Sequence, residues 1–223
     1  MKHLPNFLTC CNLVCGCLGI IFLWEGTNVP TAYFIWAACI FDFFDGFAAR
    51  LLKYSSPIGK ELDSLADMIS FGAVPSLFMY RWLVTESHAQ YLPYLALIIA
   101  VCSALRLAIF NIDETQSDSF RGVPTPANTL FLTSLPFLED SVFHIHFGYI
   151  TLIIISIVFS LLLVSRFELF ALKFKNFSFA DNKLRFAFLL ISVSLIGILQ
   201  FAALPVIILL YIGLSLGSRV MSK

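Results

Sequence analysis

Apolar residues run along this chain in long blocks without two-residue alternation, and polar or charged residues gather between the blocks. A helix needs about 20 mostly apolar residues to cross a bilayer. Blocks that approach this length lie at 7–24, 31–52, 61–84, 91–111, 124–138, 145–165, 186–200 and 203–218. The fifth, seventh and eighth are short or marked by proline, so the pattern predicts six to eight spans, with eight as the best count. A membrane barrel would instead show alternating segments of about ten residues. The expected fold class is all-α, a polytopic transmembrane helix bundle forming a single domain over residues 1–223.

Composition agrees. The chain is 59% hydrophobic and 13% charged, with a mean hydropathy of +0.90, whereas a soluble domain carries about a quarter charged residues. Lys and Arg balance Asp and Glu at 14 each, so net charge points to no nucleic-acid partner. The first block could imitate a signal peptide. However, it has no basic segment beyond Lys2 and no A-x-A site, and Asn6, Thr9 and Asn12 interrupt it. A retained first span is expected.

The placement of charge sets the orientation. With the N-terminus inside, Lys2, Lys53, Lys60, Arg121, Arg166, Lys173, Lys175, Lys183, Arg185, Arg219 and Lys223 all fall on the cytoplasmic side. The opposite loops carry only Arg81 nearby. By the positive-inside rule both termini are expected in the cytoplasm, in agreement with an even number of spans. The connection Arg166–Arg185 mixes bases with phenylalanines. It reads equally as an amphipathic segment on the inner leaflet or as a basic loop that fixes topology.

Two residue types that often carry chemistry are set aside by their positions. Cys10, Cys11, Cys15, Cys17, Cys39 and Cys102 lie in apolar stretches without histidine at zinc spacing, so they are expected to be small packing residues. His88, His144 and His146 fall on the outer side, and His3 is equally remote from a catalytic role.

The chemistry concentrates in Asp42, Asp45, Asp63 and Asp67. Spacings of three and four place each pair on one helix face. The second and third spans are joined by the link Lys53–Pro57 and are expected to form an antiparallel hairpin. At 1.5 Å per residue, Asp42 lies about 15 Å before the end of span two and Asp67 about 10 Å into span three. All four can therefore converge at one depth, in a cavity open to the cytoplasm. An aspartate in a span costs about 2.5 kcal/mol or more, and four cost about 10 kcal/mol before repulsion. Pairing with Arg50, Lys53 and Lys60 would match the acids only in part. Hard oxygen ligands favour Mg²⁺ or Mn²⁺, with Ca²⁺ as a further occupant, and two such ions would clamp a diphosphate. Gly46 and Ala49 leave room beside the acids, Arg50 is placed to meet phosphate, and Gly59 lets ligand approach the backbone.

The run Asp42, Asp45, Gly46, Ala49, Arg50, Gly59, Asp63, Asp67 resembles the CDP-alcohol phosphotransferase signature D-x2-D-G-x2-A-R-x8-G-x3-D-x3-D at every fixed position. The resemblance implies displacement of CMP from a CDP-linked lipid by an attacking hydroxyl. Asp42, Asp45, Asp63 and Asp67 would serve the metals, with Asp67 also the base. Asn6, Thr9, Gly46, Ala49, Arg50 and Gly59 would surround the CDP moiety. It also implies an inner-membrane enzyme with its site facing the cytoplasm, membrane lipids as surroundings and a homodimer as one assembly.

A second resemblance concerns the acceptor. Arg106–Asn111 and Phe120–Ala127 give R-x-A-x-F-N and F-x-G-x-P-T-P-A, similar to membrane-embedded phosphatidylserine synthases, as are Pro5–Thr9 and Ser70–Pro75. CDP-diacylglycerol and L-serine are then the implied substrates. Arg106 and Arg121 would hold the serine carboxylate in a fork, and Asn111 and Asn128 would orient its amine. Glycerol 3-phosphate and inositol phosphate acceptors should need a denser basic cluster. An archaeal ether-lipid donor is not separated by the sequence from a diacyl one. A cation transporter also places acids in spans, but such proteins tend to repeated halves and broken helices near the midplane, and here no repeat is visible.

Overall fold

The computed structural model describes residues 3–53, 56–86, 89–113, 120–141, 145–166, 168–169 and 182–221. Helix α1 (Leu4–Trp24) begins with Pro5 in its first turn, where a missing N–H is harmless. It ends at Gly26, whose φ of +91° turns the chain while Arg81 donates from Nη1 to the Trp24 carbonyl at 3.3 Å. α2 (Asn28–Leu51) carries Asp42 and Asp45 and stops at Lys53 (φ 49°). α3 (Pro57–Asp67) starts from Ser56, whose side chain accepts from the Gly59 N–H at 3.0 Å, with Pro57 at the first position.

Directly after Asp67 the helix widens into a π-helical turn, Met68–Ala73, and continues as α4 (Val74–Glu86). π-Turns shift the helical phase and are frequent at functional sites. Three hydroxyls clasp this one. Thr129 Oγ1 and Ser103 Oγ donate to the Phe71 carbonyl at 3.1 and 3.4 Å, and Ser70 Oγ donates to the Asn12 carbonyl at 3.1 Å.

A 3₁₀ turn (Leu92–Leu97) leads into α5 (Ile98–Ile112), followed by α6 (Thr125–Glu139) and α7 (Tyr149–Val164). Strands β1 (Phe120–Arg121) and β2 (Glu168–Leu169) pair antiparallel, with Phe120 opposite Leu169. This small ribbon in front of α6 was not expected in an all-α chain. Gly122 follows it at φ +74°, where a Cβ would meet the Leu163 carbonyl at 2.4 Å, and Val123 N–H donates to the Leu162 carbonyl. The approach to α6 is thereby clamped on the end of α7.

The last apolar run, Lys183–Gly217, is one of five long and apolar enough to cross a membrane among the described residues. Its 35 residues would span about 50 Å as a straight helix, well beyond a bilayer core of about 30 Å. It breaks at Gln200 (φ 51°) into α8 (Lys183–Leu199) and α9 (Ala203–Met221), and Phe188 packs on Tyr211 at 5.8 Å between ring centroids. The run is a hairpin. All eight expected blocks therefore appear as helical rods, within a few residues of their predicted bounds. Most of the Arg166–Arg185 connection, including Lys173 and Lys175, lies outside the described residues, as do His88 and His144.

The main core gathers around α4, where Phe78, Met79 and Leu83 meet Ile99, Leu132 and Leu152, and Phe131 stacks on Phe159 at 3.8 Å. Buried hydroxyls such as Ser156, Ser160 and Thr133 donate to carbonyls four residues back, which satisfies them without water. All six cysteines are free.

The expected hairpin of spans two and three takes a different form. α1 packs along α2 and also on α3, while α2 and α3 make little direct contact with one another. The gap between them is held open because α1 fills the space behind it. Gly16 makes this docking possible, since a Cβ there would lie 2.4 Å from Ser70 Oγ and 3.1 Å from Ser70 Cα. Gly16→Ala should therefore lower the apparent thermal midpoint in detergent by several degrees, from about 1–3 kcal/mol of overpacking. Gly213→Ala, with nothing within 4 Å, should leave it unchanged. Equal midpoints in a melting assay would contradict this account of the α1 interface.

Candidate active site

Asp42, Asp63 and Asp67 each place a carboxylate oxygen within 4.8 Å of the other two. The i, i+4 spacing puts Asp63 and Asp67 on the face of α3 that looks across the gap, and Asp42 meets them from α2. Asp67 is 8% exposed and Asp45 6%. Asp45 stands beside this trio rather than within it, its Oδ2 accepting from Thr9 Oγ1 at 2.7 Å. Asp67 Oδ1 accepts from Asn12 Nδ2 at 3.1 Å. Asp63 Oδ1 is buried without any partner.

Among the described residues, no lysine or arginine pairs with these four acids. The structural ion pairs with Arg50, Lys53 and Lys60 weighed in the sequence are thus not formed. Lys60 Nζ donates instead to the Asn111 carbonyl at 2.8 Å. Carboxylates brought together in a low-dielectric region repel strongly unless a cation lies between them. Three oxygens within 4.8 Å of one another are in reach of one ion whose oxygen bonds are about 2.0–2.6 Å long. The orphaned Asp63 oxygen and the absence of protein cations make the donor set a fit for a hard divalent metal.

Two cavities meet at this cluster. The larger, about 430 Å³, is lined by the trio together with Asp45, Arg50, Lys60, Ser64, Arg106, Asn111 and Thr125. The smaller, about 220 Å³, is lined by Asn6, Thr9, Gly46, Ala49, Ser56 and Gly59. Asp45, Gly46, Lys60 and Asp63 line both. Five residues expected around the CDP moiety, Asn6, Thr9, Gly46, Ala49 and Gly59, therefore share one pocket. Arg50 opens onto the larger cavity. At Gly59 a Cβ would stand 3.0 Å from Asn6 Oδ1, so glycine keeps α1 and α3 close enough to wall that pocket.

The residues expected to hold the acceptor divide. Arg106 lines the larger cavity, 9% exposed, with its Nε unpartnered. Asn111 lines it as well, but its Nδ2 donates to Ser64 Oγ at 2.7 Å, so the residue also ties α5 to α3. Asn128 is fully buried one turn beyond Thr125, and both its amide atoms lack a partner. The side chain of Arg121 lies outside the described residues.

Sequence reasoning missed Ser56, Ser64 and Thr125 as lining residues and Asn12 as the donor to Asp67. A Ser-Pro pair before a helix signals an N-cap, so Ser56 was findable. Thr125 stands within the Pro-Thr-Pro run of the second resemblance, which assigns it no role of its own. Nothing in the sequence marks Asn12 as facing Asp67, 55 residues away. His146 sits far from this chemistry, with Nδ1 2.7 Å from Glu139 Oε1 and Nε2 3.5 Å from Glu86 Oε2.

Comparison with known proteins agrees with this arrangement. A family model described as CDP-alcohol phosphatidyltransferase matches residues 2–220. A protein of Helicobacter pylori (strain ATCC 700392 / 26695) is 32% identical over 213 residues, covering 93% of this chain and 87% of that relative. One from Bacillus subtilis (strain 168) is 36% identical over 147 residues, 64% of this chain and 80% of the relative. One from Methanocaldococcus jannaschii is 32% identical over 162 residues, 73% and 71% respectively. All three relatives are named CDP-diacylglycerol–serine O-phosphatidyltransferase. The match runs through every helix of the bundle, and the chain belongs to the CDP-alcohol phosphatidyltransferase family.

Proposed function

We propose that this membrane protein transfers the phosphatidyl group of CDP-diacylglycerol to the hydroxyl of L-serine, giving phosphatidylserine and CMP. The observation that carries the reading is the cluster of Asp42, Asp63 and Asp67 without a cationic partner among the described residues, set on a cavity also lined by the unpartnered Arg106 Nε and Thr125 Oγ1. Family membership supplies the CDP-linked donor, and the names of the relatives supply serine.

In this reading the CDP moiety enters the pocket walled by Asn6, Thr9, Gly46, Ala49 and Gly59, and its diphosphate reaches the acids past Asp45 and Lys60. Mg²⁺ or Mn²⁺, one ion or a pair held by Asp42, Asp63 and Asp67 with Asp45 alongside, would neutralise the diphosphate and the charge that builds on departing CMP. The serine hydroxyl attacks the phosphorus bonded to the lipid. A new P–O bond forms, the bridging P–O bond to CMP breaks, and Asp67 takes the hydroxyl proton. Arg106 meets the serine carboxylate in the same cavity, with Thr125 and Asn111 as further polar groups.

The acyl chains have a path. An apolar groove of about 630 Å³ is lined by Trp36, Ile40, Phe43, Leu130, Phe201 and neighbours. Phe43 lines both this groove and the larger cavity, so a lipid can keep its tails among the helices while its headgroup meets the acids. The asymmetric distribution of lysine and arginine supports placing the site at the cytoplasmic face of a cell membrane.

Purified protein supplied with CDP-diacylglycerol and one acceptor at a time should release CMP and form lipid product with L-serine, not with glycerol 3-phosphate or an inositol compound. Chelation should abolish release, and Mg²⁺ or Mn²⁺ should restore it. Release with another acceptor alone would overturn the serine assignment, and release in the presence of chelator would overturn the metal. An ether-linked CDP donor run in parallel reports the backbone preference.

Asp67→Asn should lower kcat by about 10³-fold, within the range for loss of a general base, while still binding CDP-diacylglycerol. Full turnover in that variant would remove the proton-accepting role. Thr125→Val keeps the shape and deletes one hydroxyl. We expect KM for serine to rise about tenfold, equivalent to one hydrogen bond, with donor KM unchanged. An unaltered serine KM would place the acceptor elsewhere.

A further inference from the structure

α1 contributes no acid to the site, yet one of its faces governs two of them. Thr9, Asn12, Gly16 and Gly19 follow one another at spacings of three and four and are all buried. Thr9 Oγ1 donates to Asp45, and one turn later Asn12 Nδ2 donates to Asp67 Oδ1. Asn12 is fully buried in a helix whose other amide and hydroxyl side chains are Asn6 and Thr9. An amide removed from water is unfavourable unless both of its ends are bonded, and here the Oδ1 end has no partner. Half the side chain is left unsatisfied while the other half meets Asp67.

The position of that donor is fixed twice. The Asn12 carbonyl accepts from Ser70 Oγ, three residues beyond Asp67 in the π-turn. One turn further along α1, Gly16 lets Ser70 approach so closely that an added Cβ would clash with its Oγ and press on its Cα at 3.1 Å. Helix α1 is thus registered against the very turn that follows Asp67. With Oδ1 engaged, Oδ2 is the Asp67 oxygen free of protein donors among the described residues. A neutral amide suits this task. A lysine or arginine there would pair permanently with Asp67 and oppose a bound cation, and a carboxylate would add repulsion.

We propose that Asn12 is a positioning residue for Asp67: its amide, locked by the Ser70 and Gly16 contacts, holds Oδ1 from behind and presents Oδ2 to the cavity. The inference rests on the reading of Asp67 as the proton acceptor and metal ligand. Partners that orient metal ligands are worth about 10- to 100-fold in affinity or activity.

The test uses the full-length protein in detergent, with Asn12→Leu to remove the donor in a similar volume and Asn12→Asp to reverse its polarity at the same shape. Asn12→Leu should lower kcat about 10- to 100-fold with both substrate KM values within about twofold, because neither pocket is altered. Asn12→Asp should be lower still. Free Mn²⁺ counted by electron paramagnetic resonance, without substrates, should show affinity weakened about tenfold in Asn12→Leu. In the Asp67→Asn background the Asn12→Leu change should add no further loss of Mn²⁺ affinity, the signature of one coupled unit. An Asn12→Leu enzyme with kcat within twofold and unchanged Mn²⁺ affinity would overturn the proposal, as would additive losses in the double variant. Should Asn12→Leu fail to assemble, the same kcat and Mn²⁺ criteria apply to Asn12→Ala, which also removes the donor. Turnover in Asp67→Asn would defeat the proton-acceptor reading itself. An inactive Asp67→Asn beside an unaffected Asn12→Leu would defeat only the positioning role.

Discussion

Repulsion among carboxylates held in a low-dielectric cavity is the interaction around which this bundle is arranged. Among the described residues, Asp42, Asp63 and Asp67 meet without a cationic partner, and charges this close would unravel an ordinary core. The protein tolerates them by placing them in a gap rather than at a helix contact. α2 and α3 stay apart, α1 packs behind both, and the basic side chains Arg50, Lys60 and Arg106 border the cavity without closing on the acids. The carboxylates are kept available for a ligand that brings positive charge, so the site's instability when empty is the source of its affinity.

Keeping the gap open demands rigidity elsewhere. The π-turn after Asp67 changes the phase of one long rod, so that Asp63 and Asp67 face the cavity while Phe78, Met79 and Leu83 further along face the main core. A regular helix would continue the face of the acids into the bundle interior. The widened turn leaves the Phe71 carbonyl free for outside donors, and Thr129 and Ser103 supply them from α6 and α5. Four helices, α1, α5, α6 and the rod itself, are therefore fastened at one level, just behind the reacting groups.

In the proposed function the same arrangement would divide the substrates by polarity. A small pocket between α1, α2 and α3 is walled by glycine, alanine and short polar side chains, suited to a flat, polar moiety. The larger cavity adds Arg106 and Thr125. The groove past Phe43 is almost wholly apolar, Gln200 being the polar residue on its wall. Headgroup and tails of a lipid would thus find separate surroundings on either side of one phenylalanine.

Spacing along the chain determined a good deal by itself. Lengths of apolar blocks located all eight helical rods, because burial in lipid requires a run of a given length whatever its neighbours do. Intervals of three and four put each aspartate pair on one face, and the fixed signature from Asp42 to Asp67 carried the family. Tertiary structure alone decided the remainder. Apolar composition does not distinguish one long helix from a hairpin, and only the turn at Gln200 and the packing of Phe188 on Tyr211 make two helices of Lys183–Gly217. The separation of α2 from α3, the place of Asp45 beside rather than within the trio, and the donation from Asn12 to Asp67 all depend on how α1 docks. That docking depends on close approach at Gly16, a contact between residues more than fifty positions apart, and local pattern carries no record of it.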